Sequence, residues 1–339
     1  MKTLLFLNGL DGWQTGIEDG FNYLQSQGAI SDLKWFYFEE FAKKTSSKLC
    51  MLKMFEIANE FLPELIVFFH IGKFSIDKEF LVELKVLQSK PIIVYDEGDM
   101  YGTWAKPITP SMKILIKGAD VISVRGFGKF YSSISKLNKN IIYTPNHVDI
   151  ARFDKKTSTL ISRKYPITFI GNRVKPRILS AIRRMPGAKG REKFVLALGK
   201  VFPKSFKLFG NGWGNFLGNQ GPIDFQKQID IIQESSITVD YEHYPNIPYF
   251  FSNRLPIALF SGTVYVCHYH QGFENIFRNC DFIFFFKSNN EAISIIKFLQ
   301  SLDTIDLIER CKRARLFALA NFTPEVVWKN FYYNILKLN

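Results

Sequence analysis

Several stretches of this chain combine residue types suited to holding an anion. "FIGNRVKPR" (169–177) is an apolar run, a glycine turn and then Arg173, Lys175 and Arg177. A helix opening near Pro176 would offer free N–H groups and a positive dipole end, which suit phosphate. Arginines add bidentate contacts. Basic residues in the first turn of an ordinary surface helix would oppose its dipole, which favours the anion reading. "SNRLPIALFSG" (252–262) repeats the logic. With Asn253 as N-cap and Arg254 at N1, Pro256 falls at N3, where a missing N–H breaks no helical bond. The entrance Ser252, Asn253 and Arg254 is the candidate anion site, and "LPIALF" reads as core.

Two further stretches end apolar runs with polar groups. "LFGNGWGN" (208–215) places Gly210, Gly212 and Trp213 after an apolar run. Glycines admit a ligand close to the backbone, and an indole can cover a ring; a plain turn explains the stretch equally well. "YDEGDMYG" (95–102) puts Asp96, Glu97 and Asp99 at a strand end, where carboxylates serve as base, acceptor contact or metal ligand. Loop solvation accounts as well for Glu97 and Asp99. His268 and His270 in "CHYHQGFENIF" share one strand face, but no third ligand stands nearby, so no zinc-type site is expected. In that stretch Glu274, after Gly272, is the polar residue of interest.

The elements that would position these residues follow from hydrophobic patterning. Short apolar runs at 3–8, 33–38, 65–70, 91–96, 120–124 and 140–144 alternate with helical patterns. Near-continuous apolar strands between helices indicate an α/β fold with a parallel sheet covered on both faces. Such sheets carry ligands beyond the carboxyl ends of their strands. The residues there include Asn8, Gly9, His70, Asp96 and Asn146. A polar basic connection runs from about 149 to 164, and the pattern then restarts with strands at 167–171, 206–210, 237–241, 263–267 and 282–286. This gives a first domain over 1–150 and a second over 165–322. Thr323 and Pro324 start a last helix over 323–339, available to pack back onto the first domain.

Composition sets the class. The chain has 339 residues, 47% of them hydrophobic, and a net charge of +13. That charge suits a polyanionic partner, although the basic residues are dispersed and no aromatic–basic RNA motif is present, so nucleic acid is disfavoured. Four separated cysteines fit a reduced, cytoplasmic protein. No run approaches the roughly 18 apolar residues of a membrane span.

On these residues the chain resembles the GT-B glycosyltransferases, and within them the group-1-type, spore-maturation-protein-like members. "FIGNR", "FKLFGNGW", "GPIDFQKQIDIIQESSITVDY" and "SNRLPIALFSGTVYVCHYHQGFENIF" match the family's segments in order, joined by "VYDEGDMY" and "IIYTPNHVDIARF" from the first half. The resemblance covers most of residues 91–335. It implies two doubly wound, Rossmann-like domains facing each other across a cleft. The donor, a nucleotide-diphosphate sugar, would bind the second domain. Arg173 and Arg254 would approach its diphosphate, with Lys175, Ser252 and Asn253 beside them. Asn172, Gly210, Gly212 and Trp213 would lie near the nucleotide, and Gly272 and Glu274 near ribose or sugar. The family's acid ahead of the "L.cG" run is replaced here by Ile257, and the position eight residues earlier is Tyr249; Asp240 or Glu274 would have to substitute.

The resulting expectation is a metal-independent glycosyltransferase without a cofactor. Gly9 in the loop 8–16 would face the reacting centre; Asp11 and Asp96 are the candidate general bases if the reaction inverts, and no enzymic base is needed if it retains, as the broader resemblance implies. The acceptor would be a glycan, a lipid-linked molecule or a protein, with peripheral contact to an anionic membrane. The rival readings are a sugar-nucleotide epimerase of the same fold and a non-enzymatic nucleic-acid- or sugar-binding protein.

Overall fold

The computed structural model describes residues 1–104, 106–153, 163–174 and 185–338. The chain divides into two compact units, Met1–Asp149 with Thr323–Asn339, and Ile150–Phe322. Lys175, and with it the helix start near Pro176, lies outside the described residues.

The first unit holds strands β1 (Lys2–Leu7), β2 (Asp32–Tyr37), β3 (Leu65–Phe69), β4 (Ile92–Glu97), β5 (Val121–Val124) and β6 (Ile141–Tyr143). They form one sheet in the order β2-β1-β3-β4-β5-β6, with every pair parallel. β3 and β5 are buried at every position, as strands covered on both faces must be. One face packs on helices that include Ser47–Phe61, Lys78–Lys85 and Pro110–Gly118. The other packs on Thr15–Ser26 and Pro324–Leu336. That last helix is capped by Thr323, whose side chain accepts from the Val326 N–H. Trp328 is fully buried among Phe21, Phe69 and Phe331, and its indole N–H donates to Gly16 O at 3.1 Å.

The second unit holds β7 (Tyr165–Ile170), β8 (Phe206–Phe209), β9 (Asn219–Gly221), β10 (Ser235–Asp240), β11 (Val264–His268) and β12 (Ile283–Phe286). Their order is β12-β11-β10-β7-β8-β9, again all parallel. The chain runs outward from β7 through β8 to β9, then returns to start again at β10. The crevice beyond the carboxyl ends of β7 and β10 is therefore the topological switch point, where sheets of this type bind ligands. In the first unit the corresponding point lies between β1 and β3. The helix expected over 224–235 is a short 3-10 turn, Phe225–Lys227, followed by the helix Gln228–Gln233. β9 has no apolar run to announce it.

Candidate active site

At the second unit's switch point, β7 ends in Gly171, Asn172 and Arg173, and β10 ends in Asp240 with Tyr241, Glu242 and His243 beyond it. Parallel pairing of Val239 with Phe169 sets these two ends side by side. The helix Arg254–Phe260 begins beside them, so Pro256 stands in its first turn.

The Ser252–Arg254 entrance already holds an anion, and that anion is Glu242. Ser252 donates to Glu242 Oε1 through both its N–H (2.9 Å) and its hydroxyl (2.6 Å). Arg254 Nη2 donates to Glu242 Oε2 at 2.6 Å, and its Nε lies 3.3 Å from Asp240 Oδ1. The expectation of a free diphosphate cradle at Ser252–Arg254 is corrected accordingly. Asn253 makes no side-chain cap bond. Only Arg254 Nη1 is turned elsewhere, toward Gly171, where an added Cβ would sit 3.1 Å from it.

Arg191 comes to the same spot. It lies in the first turn of the helix Ala188–Val201 and is almost completely buried. Its Nε donates to Tyr241 O at 2.7 Å, and its Nη1 reaches Asn172 O at 3.2 Å and His243 Nε2 at 2.8 Å. Its Nη2 is buried with no hydrogen-bond partner among the described residues. The same Cβ on Gly171 would lie 3.4 Å from Arg191 Nη1. Two guanidinium groups thus close on one glycine. In the sequence, Arg191 looks like one of several surface cations. The signal that could have found it is the small-residue run "GAKGR": a Cβ on Gly190 would collide with the Tyr241 hydroxyl at 2.3 Å.

The electrostatics follow from burial and pairing. Burial works against the charge on Glu242, but Arg254, the Ser252 bonds and Arg191 outweigh it and hold the carboxyl below its usual range. Burial raises Asp240 against the pull of Arg254. Burial, then the neighbouring Arg254, lower Arg191 to about 10. Burial, then Arg191, lower His243 to about 3, so its Nε2 accepts from the guanidinium as neutral imidazole.

The other candidates of this unit are placed differently. Arg173 turns to Glu192, 3.1 Å from Nε to Oε1, and stacks over Phe216 at 4.8 Å. No contact of the described residues joins it to Arg254. Asn172 uses its side-chain oxygen to accept from the Asn211 N–H at 2.8 Å. Trp213 covers no ligand: it is a core residue, 1% exposed, with its indole N–H on Gly171 O at 2.6 Å. Gly210 and Gly212 have positive φ and press on the turn 171–173, where added Cβ atoms would meet Gly171 O at 2.3 Å and Arg173 O at 2.5 Å. These three residues brace the turn. Gly272, under the Tyr249 ring, and Glu274 form their own turn, in which Glu274 accepts from the Gly272 N–H (3.1 Å) and the Tyr269 hydroxyl (3.0 Å). Ile257 is buried core.

In the first unit, Asp96 is closed to base catalysis. Its two oxygens accept from Arg125 Nη1 and Nη2, both at 2.7 Å, and Ser123 Oγ adds a bond at 2.5 Å. A carboxylate so enclosed is structural. Asp11 is exposed in the loop after β1, and its N–H donates to Glu40 Oε2 at 3.3 Å. Gly9, with φ +89°, donates its N–H to Glu39 Oε2 at 2.9 Å.

The acid–base pair at this switch point is His70 with Glu97. One step beyond the Phe69–Asp96 register pair, His70 Nδ1 meets Glu97 Oε1 at 2.5 Å. Glu97 is fully buried and also accepts from the Tyr95 hydroxyl and from the Asp99 N–H at 2.9 Å. It belongs to the strand end, not to a solvated loop. His70 has φ +36°, an uncommon backbone state for a non-glycine residue. Burial opposes its imidazolium, but the bond and charge of Glu97, joined by Asp99, outweigh that and raise its pKa. Its Nε2 lies 3.9 Å from Asp99 Oδ2. His70, Glu97 and Asp99 also form the one group of metal-ligating atoms among the described residues. Glu97 is occupied by His70 and Tyr95, and Asp99 by Lys106, so the trio fits a proton-handling dyad better than a cation site. No helix among the described residues is long and apolar enough to cross a membrane.

Comparison with known proteins agrees with this fold. Anabaena HepE, solved with UDP and glucose, superposes with a TM-score of 0.59 at 12% identity over 99% of each chain. A glycosyltransferase from Rickettsia africae gives 0.63 at 14% identity, over 99% of this chain and 98% of that one. Sucrose-phosphate synthase from Thermosynechococcus elongatus gives 0.58 at 12% identity over 100% of both. At such identities the likeness is one of fold. A sequence comparison with curated proteins finds no match. The family described as Glycosyl transferase-like matches residues 176–332, which take in most of the second unit and most of the last helix. That segment matches the Glycosyl transferase-like family, and the chain has the GT-B fold of glycosyltransferases.

Proposed function

We propose that the protein transfers a sugar from a nucleoside-diphosphate donor to a hydroxyl group, without a metal. The observation that carries this reading is the meeting of Arg191 and Arg254 on Gly171 at the β7–β10 switch point. Departure of the nucleoside diphosphate builds negative charge on its outer phosphate. Preorganised guanidinium groups in a buried site stabilise that charge with little reorganisation. Arg191 Nη2, buried and without a hydrogen-bond partner among the described residues, is the donor we assign to it. HepE, of similar fold, was solved with UDP-glucose, which favours a donor of this type.

In the first unit, His70 takes the proton from the acceptor hydroxyl through Nε2, while Glu97 fixes its tautomer at Nδ1 and supports the imidazolium that forms. A base so placed belongs to an inverting transfer, which product-anomer analysis by NMR will check.

A thermal-shift panel of UDP-, GDP-, dTDP- and CMP-linked sugars, each with and without EDTA, tests the donor reading. A ligand at 100 times its Kd adds about 2.7 kcal/mol of stability, so at least one donor raises Tm, equally with chelator. No shift with any member removes the proposal.

A further inference from the structure

The amino ends of the second unit's strands border a cavity, at the pole opposite the crevice that holds Arg191 and Arg254. Its volume is about 390 Å³, within the range of small-molecule sites. It lies between the starts of β7 and β10, the end of the helix Asn289–Ser301 and the first turns of the helix Thr304–Asn321. Buried Ile237 and Leu299 line it together with Leu302, Leu307 and Ile308. Arg163 brings a guanidinium to it and Ser236 a hydroxyl.

Arg163 reaches this cavity without a counter-ion among the described residues. Its Nη1 donates to Ser235 O at 2.6 Å and its Nη2 to Gly262 O at 2.7 Å, which ties the starts of β10 and β11 together. These bonds use two of the guanidinium's five N–H groups, and both acceptors are neutral carbonyls. Arg125, Arg173 and Arg254 each face a carboxylate. No carboxylate among the described residues offsets the charge of Arg163, and burial lowers its pKa. The Cys311 thiol, on the cavity wall, is raised by burial and stays neutral. A charge withdrawn from water is costly unless an opposite charge meets it.

The walls select the kind of anion. A strongly hydrated ion such as phosphate would give up its water to aliphatic side chains that return no hydrogen bonds. A carboxylate on a compact apolar body buries that body against the walls and meets the remaining N–H groups of Arg163 in charge-assisted bonds. The space, about that of a dozen waters, admits a short acyl chain or a single ring. We propose that this cavity binds an apolar monocarboxylate, with its carboxylate on Arg163 and its body against Leu302, Leu307 and Ile308. β7 and β10, six residues each, hold this cavity at their starts and the Arg191–Arg254 crevice beyond their ends, about 17 Å apart along the strand. The two sites therefore fill independently, and the inference does not depend on the donor reading.

Calorimetric titration at neutral pH with hexanoate, octanoate, benzoate and phenylacetate, with their neutral amides and with inorganic phosphate tests it, in the wild type and two variants. Leu302→Trp fills the cavity from a half-buried loop position. Arg163→Gln removes the charge and keeps a donor for one carbonyl; should it fail to fold, Leu302→Trp and the amides decide. At least one carboxylate saturates the wild type, its amide binds at least tenfold more weakly, and each folded variant binds the carboxylate at least tenfold more weakly. Binding of no carboxylate, equal binding of the amide, phosphate in place of the carboxylates, or undiminished binding in Leu302→Trp overturns the inference. So does competition with a nucleotide sugar, which would put the carboxylate on Arg191 and Arg254. The donor reading is tested by its own thermal shift, which is the same in the wild type and in Leu302→Trp, so the two failures are separable.

Discussion

Glu242 and Arg254 meet at 2.6 Å, and the acid thereby fills the anion position at the start of its partner's helix. The same carboxylate takes two bonds from Ser252. A buried pair of this kind is weak evidence for net stability, but breaking it leaves an uncompensated charge. Glu242→Ala leaves Arg254 with Asp240 alone and lowers unfolding free energy by about 3 kcal/mol. Urea denaturation at neutral pH measures it; a change within 0.5 kcal/mol would show that the pair is solvated.

The His70–Glu97 dyad predicts a pH profile. Nε2 accepts a proton only when the imidazole is neutral. Because Glu97 raises the His70 pKa, the acidic limb of kcat/KM falls above the ordinary 6.5. His70→Asn lowers kcat by about 100- to 10,000-fold, the usual worth of a positioned base. Glu97→Gln removes the charge that raises the pKa and shifts the limb to lower pH. A limb that does not move in Glu97→Gln assigns the base elsewhere.

How much of this was written in the sequence depends on the kind of signal. The sheet strands were legible because parallel strands buried on both faces are continuous apolar runs, and "LIVFF" or "VISV" can be little else. β9, with the sequence Asn-Gln-Gly, lacks that signature; it forms because the Gly210 N–H bonds to Gly221 O. Among site residues, Arg254 was visible from its place at a helix entrance, but its partner was not, since Glu242 lies 12 residues earlier and reaches it only through strand pairing. Asp96 and Glu97 illustrate a finer limit. Adjacent residues on a strand point to opposite faces, and only the fold shows that one meets Arg125 and the other His70. Trp213 misled because a tryptophan among glycines has the composition of a ligand cover and of a core plug alike.

His243 makes stability depend on pH. It accepts from Arg191, so it folds neutral, with its pKa lowered to about 3. Below about 6.5 the unfolded chain binds a proton that the folded one refuses, and stability falls as pH drops from there toward 3. At pH 5.5 this amounts to about 1.4 kcal/mol. His147, lowered to about 4 by burial and then by Arg125, acts in the same direction. Asp240, raised by burial, acts oppositely, losing stability as pH rises through its folded pKa. His243→Gln keeps an acceptor for Arg191 and flattens the fall in stability between pH 7 and 5. An unchanged slope would place the acid sensitivity in other groups.

Gly210 and Gly214 allow a controlled comparison in one loop. Both have positive φ; an alanine at Gly214, in the left-handed region, is strained by about 1–2 kcal/mol, and one at Gly210, with φ +134°, by at least as much. A Cβ at Gly214 meets nothing within 4 Å, whereas one at Gly210 would stand 2.3 Å from Gly171 O, which is backbone and cannot turn aside. Gly214→Ala therefore costs only the strain. Gly210→Ala costs more, by at least about 2 kcal/mol, and moves the turn on which Arg191 and Arg254 converge. Thermal denaturation ranks the two variants, and nucleotide-sugar affinity falls in Gly210→Ala alone. Equal affinity in both would mean that the Gly171 turn does not shape the donor site, since its displacement is the difference between them.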